Sequence, residues 1–336
     1  MISLYWSALL VLLAGLFRPL VQIEPAYKEI RFAPWDLVTA IAWSPDGNYV
    51  AAAVGTRVIL FPARQETPIV TMQQGVLTTS LAFSPDSAWL AAGGRDGKVR
   101  LFLLPVQTEE DMDLGPQRVI KAHRKGVNTL QFSPEGEWLA SGGNDAVVRL
   151  WDWENGRLVN EIIGGTYSIP AIVFINQEML AVANGKFIRL RNVHTDRFSG
   201  SFKTSNPVFS LAVNSDGRWL LMGDIENGVQ LWEVSTAYRT GMENYPQSVF
   251  QAAHTGHPGT YQSLVWDVQF HPEGHLIASA GGDGSIIVWD FLKRERVHQF
   301  VGHQAAVTSL AFSPDGRWLV SGGLDASIRY WPLDGN

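Results

Sequence analysis

One segment returns seven times along the chain, over residues 38–61, 78–102, 127–152, 169–192, 208–233, 265–290 and 307–332. Such self-similarity limits the architecture more than any single motif could. The residues that end the first strand of each copy are Trp43, Phe83, Phe132, Phe174, Val213, Phe270 and Phe312, spaced 39 to 57 residues apart. The last copy shows how a unit reads. VTSLAF alternates and is rich in β-formers, so it is a strand. Ser313-Pro314-Asp315-Gly316 is a tight turn, with proline presetting φ and glycine ending it. RWLVSGG is a second strand, LDAS a turn, and SIRYW a third strand. A fourth strand precedes the next copy, as at Val297 to Phe300. A period near forty residues with four short strands per unit describes a propeller blade. The expected fold class is therefore all-β, a seven-bladed β-propeller, with a hydrophobic N-terminal helix before it.

That helix is expected from residues 1–17, which carry no charge. It would measure about 25 Å at 1.5 Å per residue, a little short of a full bilayer span. Residues 1–24 thus form an anchor or signal segment, and 27–333 the propeller. An uncleaved anchor fits better than a secretory signal, because no basic n-region or small-x-small cleavage site is present. Arg18, Lys28 and Arg31 follow the segment and would hold the main body on the cytoplasmic side. The alternative localisation is secreted or periplasmic.

Composition removes several kinds of chemistry. With 46% hydrophobic and 17% charged residues the chain is not intrinsically disordered. Without cysteine it has no disulfide scaffold, thiol nucleophile or thiolate-bound zinc. A net charge of −6 argues against a nucleic-acid footprint. No phosphate-binding GK[ST] loop and no His-Glu-x-x-His helix occurs. His254 and His257 share a loop but lack acidic or cysteine neighbours, so no metal or other cofactor is expected. His271 and His275 flank a turn and read as surface residues, and the acidic run at 109–113 as a solvated loop. No cluster that breaks the repeat stands out near the axis.

The copies resemble the WD-repeat propellers over roughly residues 28–332. Trp151-Asp152 and Trp289-Asp290 are literal Trp-Asp endings, and Trp232-Glu233 and Trp331-Pro332 are variants. Gly302-His303 is a Gly-His opening, and Ala122-His123 a near form. The resemblance implies a hydrogen-bonded His–Ser–Asp–Trp tetrad in some blades. The matching residues are His123, Ser141, Asp145 and Trp151 in the third copy, and His303, Ser321, Asp325 and Trp331 in the seventh. The sixth offers Ser279, Asp283 and Trp289, with His257 as a weaker opening because its spacing is four residues longer. The fifth has Glu226 where Asp is expected. These sets recur at blade period, so they read as structural and not catalytic. The family also implies that the N-terminal strand, here Tyr27 to Phe32, completes the last blade. Partners would sit on the face bearing the turn before the tetrad Asp, at Arg95, Asn144, Gly282 and Leu324. The function so implied is a non-enzymatic scaffold for proteins or peptides, tethered at a membrane through residues 1–17. A secreted ligand-binding propeller, or an enzyme using the central channel, is the alternative.

Overall fold

The computed structural model describes residues 23–24, 28–104, 112–163, 165–238, 246–250, 254–255 and 260–333. Seven separate antiparallel sheets follow one another along the chain. Each begins with an alternating strand and returns through a turn that its sequence prescribes. In the seventh sheet, Ser313 Oγ accepts a 3.0 Å bond from the Trp318 N–H while Gly316 adopts φ 71°. The seven sheets are numbered here as blades 1 to 7. Their innermost strands are Val38–Trp43, Thr78–Phe83, Val127–Phe132, Ile172–Phe174, Val208–Val213, Val265–Phe270 and Val307–Phe312.

Six of these inner strands carry a register shift at their second residue. A bulge of this kind re-aims a side chain, and here it turns several second residues toward the next blade. Thr39 Oγ donates to the Thr78 carbonyl at 2.6 Å, Asn128 Nδ2 to Ile169 at 3.1 Å and Thr308 Oγ to Val38 at 2.7 Å. The third residue makes a second inter-blade bond. Ser80 Oγ accepts from the Leu130 N–H at 3.0 Å, and Ser309 Oγ from the Ile41 N–H at 3.0 Å.

Outside this polar ring lie seven apolar clusters, one at each seam between neighbouring blades. The seam between blades 7 and 1 buries Val320, Ile328 and Tyr330 against Val38, Val50 and Phe61. A blade is therefore stable only between two others, since a four-stranded sheet has no core of its own. The paired glycines of the second strands serve this packing. A Cβ on Gly322 would collide with the side chains of Val38 and Ile41 in blade 1.

The ring closes through Lys28–Arg31, which pairs antiparallel with residues 327–330 of blade 7. Arg329 Nη2 meets Glu29 Oε1 at 2.6 Å across this join. Two further pairs of residues extend outer edges in parallel: Ile23–Glu24 beside Gln299 and Phe300, and Met112–Asp113 beside Val70 and Thr71. The expected N-terminal helix lies outside the described residues. Among those described, the helical pieces are the short 3-10 turns Val234–Tyr238 and Tyr261–Ser263. None of their helices is long and apolar enough to cross a membrane.

Candidate functional site

In blade 3 the Trp151 N–H donates to Ser141 Oγ at 2.9 Å, which lies 2.9 Å from His123 Nε2. His123 Nδ1 lies 2.8 Å from Asp145 Oδ1. A single direction satisfies this series: indole to hydroxyl, hydroxyl to Nε2, Nδ1–H to carboxylate. The imidazole is then neutral, and burial holds its pKa below the ordinary value despite Asp145. Burial opposes ionisation of Asp145 too, but hydrogen bonds from Arg149 and His123 outweigh it and keep the carboxylate charged.

Blade 7 repeats the arrangement. His303 Nε2 lies 2.7 Å from Ser321 Oγ, His303 Nδ1 lies 2.9 Å from Asp325 Oδ1, and the Trp331 N–H donates to Ser321 at 2.8 Å.

Blade 6 departs from the expected set in two ways. The imidazole belongs to His254, with Nε2 3.0 Å from Ser279 Oγ and Nδ1 3.2 Å from Asp283; His257 lies outside the described residues. The connection into this blade is longer than in blades 3 and 7, which moves the histidine away from the place its spacing suggested. Trp289 Nε1 is buried without a hydrogen-bond partner. Its ring instead packs at 5.0 Å from Phe250, with the Arg296 guanidinium over it at 4.9 Å. In blade 5, Asp224 and not Glu226 receives the turn amides, from Glu226 at 2.8 Å and Gly228 at 2.7 Å. His271 is buried rather than at the surface: its Nε2 lies 2.8 Å from the Gly316 carbonyl, tying the turn of blade 6 to that of blade 7.

The turns that carry the tetrad acids open on the same face as the connections entering each inner strand. Arg95, Asn144 and Leu324 line the mouth of the central channel there. Gly282 does not reach the rim: it is buried beneath the backbone of Tyr261 and Gln262. Three aromatic side chains stand on this face in the entering connections, Trp35 at 80%, Tyr167 at 65% and Tyr261 at 60% exposure. Sequence reasoning missed them. The available signal was a bulky aromatic shortly before an inner strand, where the connections into blades 2, 3, 5 and 7 carry no tryptophan, tyrosine or phenylalanine.

The channel is a cavity of about 740 Å³ lined by the inner strands of all seven blades. Its wall breaks the repeat between blades 5 and 7. Phe209 and Trp266 occupy the second positions, where blades 1, 2, 3 and 7 have Thr or Asn and blade 4 has Pro170, with ring centroids 5.4 Å apart. Asp267 holds the third position and accepts from the Leu310 N–H at 2.8 Å. Loss of hydration pushes its pKa up to about 7, against smaller opposing hydrogen bonds. Only a comparison across copies, column by column, shows this cluster in the sequence. No group of three or more His, Cys, Asp or Glu able to hold a metal occurs among the described residues.

A ring of seven four-stranded blades, two of them holding the complete tetrad, defines a class of repeat propeller. The chain belongs to the WD-repeat family: the model of the WD domain, G-beta repeat, matches residues 31–60, 67–102, 114–152, 192–233, 248–290 and 294–332. Most of blade 4 escapes it, in keeping with the absence of a tetrad there. Cell division cycle 20.1, cofactor of APC complex, from Arabidopsis thaliana is 27% identical over 75% of this chain and 54% of its own length. The guanine nucleotide-binding protein subunit beta of the same plant is 26% identical over 79% of this chain and 59% of its own. Protein HIR1 of Candida albicans is 27% identical over 30% of this chain and 11% of its own. The chain thus spans less than two thirds of the length of each.

Proposed function

We propose that this propeller is a non-enzymatic platform for protein or peptide segments, which bind on the face around the channel mouth. The observation that carries this reading is the placing of Trp35, Tyr167 and Tyr261, widely exposed and all on that one face. Large aromatic residues supply much of the energy of protein interfaces at small entropic cost, and these three stand around one face, on the connections entering blades 1, 4 and 6. Two relatives support it by their names, one a cofactor of a complex and the other a subunit. The His–Ser–Asp groups favour no catalysis, because their His and Ser are buried, the sets repeat between blades and their members are consumed in bonding one another.

The test is quantitative affinity capture with the full chain and two variants. One is the triple substitution Trp35→Ala, Tyr167→Ala and Tyr261→Ala. The other, Leu292→Ala, removes an exposed side chain from the opposite face. Partners should be lost by the triple variant and kept by the single one. Equal retention by both would overturn the reading. The uncharged run at 1–17 further supports a membrane-tethered form of the platform on the cytoplasmic side. Carbonate extraction would release the full-length chain if that were wrong.

A further inference from the structure

At the seam of blades 5 and 6 both inter-blade bonds of the repeat are missing, and at the seam of blades 6 and 7 only the third-position one remains, from the Leu310 N–H to Asp267. At the third position Ser210 matches Ser80 and Ser309, yet its hydroxyl has no hydrogen-bond partner although the residue is only 6% exposed. At the second position Trp266 replaces a bonding Thr, and its indole N–H is likewise buried and unpartnered. Both residues line the cavity, with Phe209, Asp267 and Gln269. Among the described residues that form the channel wall, Asp267 is the only carboxylate and Arg95, at the mouth, the only cation.

We propose that this corner of the channel receives an alkylammonium group, the end of a lysine side chain presented by a segment lying on the rim. The proposal rests on the rim being a partner surface and names what the partner must carry. Four features point to this chemistry. A desolvated carboxylate gains most from a cation that restores its charge balance. Aromatic faces beside it add cation–π attraction. The unpartnered Ser210 oxygen can accept a hydrogen bond from the ammonium, while the unpartnered Trp266 N–H can donate to a carbonyl of the incoming segment. Oδ2 of the carboxylate already serves the Leu310 N–H, and Gln269 Nε2 reaches both oxygens, Oδ1 at 3.2 Å. With no edge of the carboxylate open to a two-pronged guanidinium, a single-point ammonium is the better fit.

The ionic surroundings are simple. Strands Val208–Val213, Leu276–Gly281 and Val307–Phe312, packed against that of Asp267, contain no titratable residue. Trp219–Asp224 contributes Asp224, which is engaged with Asn206 and the turn amides. Since Asp267 holds its proton up to about 7, and the ammonium favours the ionised form, affinity should rise with pH across that value.

The experiment follows the Trp266 indole N–H of the full chain by NMR during titration with three probes. These are a blocked Gly-Lys-Gly peptide, its norleucine counterpart and butylamine. The lysine peptide should give a saturable shift. The norleucine peptide should bind at least about tenfold more weakly, the affinity ratio carried by one good charged contact. Asp267→Asn, which keeps an oxygen for Leu310, should weaken the lysine peptide by a similar factor. Wild-type affinity should increase from pH 6 to pH 8, a readout that needs no variant. Absence of a saturable shift, equal binding of the norleucine peptide, or no effect of both pH and Asp267→Asn would overturn the site. Binding of butylamine with exclusion of the lysine peptide would overturn the side-chain assignment in favour of a free amine. The probes report on the channel alone, so an intact titration alongside failure of the rim variants would sink the platform reading and leave this site standing.

Discussion

Ser321 and Ser279 hold matching places in blades 7 and 6, yet their removal should not cost the same. Ser321→Ala leaves both the Trp331 N–H and His303 Nε2 unpaired. Each buried orphan costs about 1–3 kcal/mol, so a loss of roughly 2–5 kcal/mol is expected. Ser279→Ala strands only His254 Nε2, because Trp289 makes no such bond, and about half that loss should follow. Urea denaturation of the two variants compares them directly; equal losses would show that the indole bond contributes nothing. The acids differ as sharply in their response to pH. Asp325 sits under burial that disfavours its charge, but bonds from His303 and neighbours outweigh this and hold its pKa well below the ordinary value of 3.8. Its contribution is present above that value and disappears as pH falls below it. Asp267 behaves in the opposite sense. The native chain keeps a proton that the unfolded chain gives up at 3.8, so stability declines as pH rises from there to about 7. Asp267→Asn should flatten the decline between pH 5 and pH 7 in unfolding free energies measured across that range; an unchanged slope would contradict the assignment.

The closing strand is the element on which the ring depends. Glu29→Ala would leave the buried Arg329 with a more distant partner, Asp325 at 3.8 Å. Because Glu29 is itself exposed and also meets Arg31 at 2.9 Å, loss of the pair costs only about 1 kcal/mol. It should appear as faster hydrogen exchange in residues 327–330, ahead of the other blades; uniform exchange in all blades would refute it. The strand itself was legible, since a β-rich run before the first copy and a last copy lacking a fourth strand complement each other. So were the tetrads of blades 3 and 7, whose histidine-to-tryptophan spacing follows the family pattern. The histidine of blade 6 was not, because a longer connection changes which residue arrives while the pocket stays the same. Gly282 was misplaced at the rim because no pattern within a repeat announces that a neighbouring turn will cover it. The channel cluster escaped for a different reason: Phe209, Trp266 and Asp267 are unremarkable within their own strands and become odd only beside the Thr and Ser of other blades.

At the scale of the whole molecule, stability is shared among seven seams, and an injury to one should be felt by all. Gly322→Ala places a methyl group against Val38 and Ile41 at the seam that joins the last blade to the first. Such overpacking costs about 1–3 kcal/mol and should lower the single thermal transition as a whole. Gly115→Ala, with no atom within 4 Å of the added carbon, is the matching control. A separate early transition for blade 7 alone would show that the ring does not melt as a unit. The join between residues 28–31 and 327–330 also has a consequence in time. During synthesis the earlier of these strands emerges long before its mate exists, and must wait, unzipped, until all seven blades between the two have been made. Circular assembly is thereby a late event, and the waiting strand is the place where a nascent chain of this kind is most open to chaperones.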